Sequence, residues 1–78
     1  MNVSPGTNID PHFSVKPDGV KIIEHTSKSK SYVYEEFGKK DDSYSFQLDT
    51  KLGERIFEVK GLWRNGQTIS YIIKVNER

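Results

Sequence analysis

Residues 55–63, RIFEVKGLW, and 67–75, QTISYIIKV, flank Arg64-Asn65-Gly66, and the fold turns on how these two runs pair. Runs rich in β-branched and aromatic side chains on either side of Asn-Gly signal a β-hairpin. A two-residue Asn65-Gly66 loop pairs Arg64 with Gln67 and Trp63 with Thr68. It sets Phe57, Val59 and Trp63 on one face with Thr68, Ser70 and Lys74. A three-residue loop, a type I turn closed by a bulge at Gly66, pairs Trp63 with Gln67 instead. It then opposes Gly61 to Ile69, Val59 to Tyr71, Phe57 to Ile73 and Arg55 to Val75. A slip of one residue turns every side chain to the other face, so the apolar set selects the bulged loop. The expected core face is Phe57, Val59, Trp63, Ile69, Tyr71, Ile73 and Val75. The opposite face, Ile56, Glu58, Lys60, Leu62, Ser70, Ile72 and Lys74, is mixed and should be largely solvated.

Upstream, Ser43-Tyr44-Ser45-Phe46-Gln47-Leu48 alternates cleanly and predicts a strand with Tyr44, Phe46 and Leu48 on one side. Further strands are expected at Tyr32–Phe37, Val20–His25 and Phe13–Lys16. Pro17-Asp18-Gly19 has the chemistry of a tight reversal, with Gly19 taking a positive φ. The polar stretches TSKSKS (26–31) and GKKDD (38–42) read as connections. Residues 1–12 hold two Pro, one Gly and no apolar period. They read as a flexible lead-in or linker to a single β domain over 13–78. No window carries a 3.6-residue stripe, so no substantial helix is expected.

Composition agrees with this. Seven Ile and six Val stand against three Leu and no Ala, with four Tyr, four Phe and one Trp, which is a vocabulary for strands. With 78 residues, a large buried active site is not expected. Charge is balanced, 12 Lys and Arg against 11 Asp and Glu, so no global field points to nucleic acid or an anionic membrane. The absence of Cys removes disulfides, thiolate zinc sites and a cysteine nucleophile. No run approaches the roughly 18 to 20 apolar residues of a membrane span, and no signal-peptide core follows Met1. The chain is thus either cytoplasmic or a domain whose export signal lies elsewhere.

Tyr44 to Val75, YSFQLDTKLGERIFEVKGLWRNGQTISYIIKV, resembles the closing strands of bacterial immunoglobulin-like and fibronectin-III-like domains. Leu52-Gly53-Glu54 matches their loop, Phe57-Glu58-Val59 the aromatic-x-Val step, and Asn65-Gly66 the last hairpin. The resemblance implies a small antiparallel immunoglobulin-like β-sandwich of about six strands. A small OB-like or SH3-like barrel is the alternative fold. It also implies an extracytoplasmic module of a bacterial surface protein or lipoprotein, binding a protein partner or neighbouring domains of its own chain.

Few residues suggest chemistry. His12 and His25 lack a third nearby ligand, so no metal site is expected. Glu35 and Glu36 are strand neighbours and point to opposite faces, and Asp41-Asp42 lacks calcium-loop spacing. No nucleophile elbow or phosphate-cradling glycine loop is present, so neither catalysis nor a cofactor is expected. The strongest binding pattern is Lys28, Lys30, Tyr32 and Tyr34, followed by Lys39 and Lys40. Aromatics on a sheet among lysines can stack bases and neutralise phosphates, which supports a barrel binding single-stranded nucleic acid or an acidic ligand. Glu35, Glu36, Asp41 and Asp42 cancel that local charge. Trp63 and Arg64, of residue types common in interface hot spots, sit at the mouth of the last hairpin. A third mode is addition of a partner strand to an open sheet edge.

Overall fold

A computed structural model describes residues 1–78 as an all-β chain of seven strands. These are β1 (Asn2–Val3), β2 (Asn8–Ile9), β3 (Gly19–His25), β4 (Ser31–Phe37), β5 (Phe46–Gln47), β6 (Gly53–Leu62) and β7 (Thr68–Glu77). Five of them form one sheet in the order β1-β7-β6-β3-β4, and β2 pairs with β5 in a second, two-stranded sheet. No helix is long and apolar enough to cross a membrane.

The hairpin of β6 and β7 has the bulged register. Gly61 opposes Ile69, Val59 opposes Tyr71, Phe57 opposes Ile73 and Arg55 opposes Val75. The loop closes through the Gly66 N–H donating to the Trp63 carbonyl and the Trp63 N–H donating to the Gln67 carbonyl, both at 3.0 Å. Gly66 has a φ of 89°, the left-handed conformation that the third loop position requires. Phe57, Val59 and Val75 are buried, whereas Trp63, Tyr71 and Ile73 are half-buried and Ile69 is exposed. The face is as expected, but the covering layer does not reach the loop end of β7.

The core lies between the two sheets. Val20, Ile22, Phe57, Val59 and Val75 from the larger sheet meet Tyr44, Phe46 and Leu48. Alternation around β5 is as expected, with Tyr44, Phe46 and Leu48 buried and Ser43, Ser45 and Gln47 exposed. Only Phe46 and Gln47 are paired, antiparallel to Ile9 and Asn8. The Leu48 N–H extends the pairing by donating to the Thr7 carbonyl at 3.0 Å. Phe46 packs on Phe57 with ring centres 5.5 Å apart, and Phe37 meets Tyr44 at 5.9 Å.

Two expectations, a strand and a turn, are corrected. Phe13–Lys16 is not a strand: the segment runs between the buried Pro11 and Pro17 and lays Phe13 against Tyr44, Trp63 and Tyr71 at 5.8 to 6.0 Å. Neither Pro can donate a ladder hydrogen bond. Pro17-Asp18-Gly19 does not take the tight reversal with positive φ at Gly19; the Asp18 N–H donates to the Leu62 carbonyl at 2.8 Å and Gly19 begins β3. The larger sheet is mixed, because β1 runs parallel to β7, with Asn2 opposite Asn76 and Val3 opposite Glu77. Residues 1–12 accordingly carry two short strands, each held by a partner distant in sequence.

A bulge also interrupts β4. Ile22 opposes Glu35 but Ile23 opposes Val33, so Tyr34 is the additional residue. It restores phase: Tyr32 lies opposite the buried Glu24, and Phe37 lies opposite the buried Val20. A regular strand would turn Tyr32 and Phe37 to opposite faces.

Candidate functional site

Continuing the core face of β6 one step beyond Phe57 brings the alternation to Arg55, which is only 3% exposed. On β3 the same face ends at Glu24, 3% exposed, and on β7 at Glu77, 1% exposed. The antiparallel registers put both carboxylates diagonal to Arg55 on its two neighbouring strands.

The guanidinium is fully engaged. Nε and Nη2 donate to Glu24 Oε2 and Oε1 at 2.9 and 2.8 Å, a bidentate fork. Nη1 donates to Glu77 Oε1 at 3.3 Å and to the Asp49 carbonyl at 3.3 Å, and pairs with Asp49 Oδ1 at 2.6 Å. The second oxygen of Glu77 accepts the Lys51 N–H at 2.6 Å, tying the 49–51 connection to the end of β7. Arg55 also lies 5.6 Å from the centre of the Tyr34 ring and 5.1 Å from that of Phe57, two rings that are themselves 5.3 Å apart. Every buried side-chain nitrogen and oxygen has a hydrogen-bond partner.

These bonds set the protonation states. Burial pushes the Glu24 carboxyl up, but hydrogen bonds from Arg55 and Tyr32 outweigh it and hold Glu24 below its ordinary value. The Arg55 hydrogen bond likewise holds Asp49 down, and Glu24 above all raises Arg55 further. The cluster is an internal lock that gathers one cation and three carboxylates. Arg55 is shared among the three, whose formal charge exceeds its own by two.

Beside it lies the largest groove, about 540 Å³, between the 26–28 connection and residues 51–54 at the start of β6. Lys28, from the expected binding set, lines it with Lys51, His25 and Glu54. Lys30 stands apart: its carbonyl closes the turn by accepting the Thr26 and Ser27 N–H groups at 3.0 and 3.3 Å. Tyr32 and Tyr34 do share a face, with ring centres 6.4 Å apart, but both hydroxyls are engaged inside the protein. Tyr32 donates to Glu24, which pushes the phenol up to about 12. Tyr34 donates to the Gln47 carbonyl at 3.0 Å and accepts the Asp49 N–H at 2.8 Å. Its ring packs edge-on against Phe46 and Phe57, so the set is not one stacking platform.

Trp63 and Arg64 separate as well. The Arg64 side chain is in no ion pair, and the Arg64 backbone N–H donates to Asp18 Oδ2 at 2.6 Å. Trp63 lines an apolar groove of about 270 Å³ with Phe13, Val15, Ile69 and Tyr71. Val15 and Ile69 are 68% and 58% exposed there.

That groove borders an open sheet edge, which no local sequence pattern disclosed. β7 pairs with β6 along its whole length, but on its other side β1 reaches only Asn76 and Glu77. The Asn76 N–H donates outward to the Met1 carbonyl at 2.7 Å. Because ladder bonds alternate along an antiparallel strand, Thr68, Ser70, Ile72 and Lys74 also aim their N–H and C=O groups outward. They have no partner there. The other edge, β4, is broken by the Tyr34 bulge and carries exposed Glu35 and Glu36, devices that discourage pairing.

No protein-family model, curated protein or solved structure matches the chain.

Proposed function

We propose that the chain is a non-catalytic protein-interaction module that uses the β7 edge and the groove around Trp63. The observation that carries this reading is the open edge from Thr68 to Lys74, with Ile69 and Ile72 more than half exposed. Unpaired strand edges and contiguous exposed apolar residues are where soluble proteins accept partners. The engagement of Arg55, Tyr32 and Tyr34 within the fold supports it, since those groups are not free to act on a ligand. Placement in a bacterial surface protein or lipoprotein rests on the resemblance of the closing strands alone.

Selection of displayed peptides against the immobilised domain, followed by amide shift mapping of the binders, tests the reading. Binders that shift Thr68–Lys74, Trp63 and Val15 are expected. A selection without binders, or an oligonucleotide titration that shifts Lys28, Lys30 and Tyr32 instead, overturns it.

A further inference from the structure

We infer that the partner is an extended acidic peptide segment that adds as a strand to β7, with apolar side chains at alternate positions. This rests on the interaction-module reading and specifies its mode and ligand.

The backbone sets the mode. Thr68, Ser70, Ile72 and Lys74 present a row of outward donors and acceptors over seven residues, about 24 Å of strand. β1 already occupies the next stretch of this edge as a paired strand, so an added segment continues an existing line of pairing. The register of β6 and β7 contains no bulge that would twist the edge away.

The two faces beside the edge set the side-chain chemistry. On the core face, the apolar groove of Val15, Trp63, Ile69 and Tyr71 lies next to where alternate residues of an added strand would point. On the other face, Lys74 belongs to the edge strand itself and Lys60 stands opposite Ser70 one strand in. Neither lysine is in an ion pair of 4.0 Å or less, and Lys60 lies near Glu58. Glu54 and Glu58 lie on that face one strand in, both diagonal to Lys74, and Glu58 is bonded to His25 at 2.9 Å. From Thr68 to Val75 the edge strand itself carries one charge, Lys74, and no carboxylate. A second copy of β7 would bring another lysine and no free carboxylate, so an acidic segment is the better complement.

The test uses two capped octapeptides, one alternating Val with Glu and one alternating Val with Lys, titrated into the labelled protein and followed by amide shifts. The Glu peptide should bind with shifts centred on Thr68–Lys74, and the Lys peptide should bind roughly three- to tenfold more weakly. Ser70→Pro removes an outward N–H without taking a bond from β6, so it should abolish binding while the spectrum stays dispersed. Should that variant unfold, Lys74→Glu supplies the second arm by reversing the preference between the peptides.

Equal binding of both peptides overturns the acidic assignment, and binding that survives Ser70→Pro in a folded protein overturns strand addition. Either result leaves the interaction module standing if selected peptides still map to the groove, whereas no binding by any peptide removes both. Sedimentation showing a dimer lost on Ser70→Pro would make the occupant a second copy and overturn the inference.

Discussion

Arg55 and Glu24, 31 positions apart, meet in a bidentate ion pair at 2.8 and 2.9 Å inside the protein. Neither residue opposes the other in the ladder, since Glu24 stands across from Phe57. Their long side chains close the diagonal where the apolar core ends. The pair, with Glu77 and Asp49, fastens β3, β6, β7 and the 49–51 connection at one end of the molecule.

Removing the cation should therefore be costly. Arg55→Met leaves Glu24 and Glu77 buried with their principal partner gone, and breaking a buried pair in this way costs about 3–5 kcal/mol. Urea denaturation should show that loss. Arg55→Met combined with Glu24→Leu should recover part of it, because the stranded charge is gone.

Acid should loosen the same end. Glu24, Asp49 and Glu58 are all held below their ordinary values, Asp49 by Arg55 and Glu58 by His25 and Ser70. A lowered carboxylate contributes stability that is full above its unfolded-state value and is lost as pH falls through the folded-state value. Stability should accordingly be flat near neutrality and decline below the ordinary values of 4.5 for Glu and 3.8 for Asp. Thermal melts across pH 2 to 7, roughly the span that covers these values, check this. Arg55→Met should flatten the acid limb.

Alkali acts through Tyr32. Its phenol rises from 10.0 to about 12, chiefly because ionisation would break its hydrogen bond to Glu24. A raised value favours the protonated form in the fold, so the contribution is complete below 10.0 and is lost as pH climbs through about 12. Absorbance titration at high pH should show phenol ionisation shifted upward, and Tyr32→Phe should remove one late-titrating group.

Gly61 marks where the sheet meets the Phe13 segment. An added Cβ would lie 2.8 Å from Phe13 Cε1 and 2.9 Å from the Trp63 ring. Gly61→Ala should force the two rings apart at an overpacking cost of about 1–3 kcal/mol. A shift in Trp63 fluorescence together with a lowered melting temperature is the expected signature.

The sequence by itself determined the all-β class, the strands of β3, β4, β6 and β7, and the register of the last hairpin. These rest on local rules: alternation of period two, and a loop whose length is fixed by which register gathers Phe57, Val59, Ile73 and Val75 on one face. The same register pairs Arg55 with Val75, yet Arg55 is not among the expected core residues, because a charged residue on a core face becomes intelligible only once its counter-charges are placed. Glu24 arrives from β3, whose adjacency to β6 depends on sheet order, which no local pattern encodes, and Glu77 lies at the far end of the hairpin, beyond its apolar run. The pairings of β1 and β2 are two residues long and too short to leave a period, and the Tyr34 bulge is visible only against β3.

The proposed binding edge follows the same division. Residues 67–75 showed a half-buried strand, but whether its far side faces another strand or water is a property of the assembled sheet. Tertiary structure decided it by ending β1 at Asn2–Val3 and leaving the outward groups from Thr68 to Lys74 without partners.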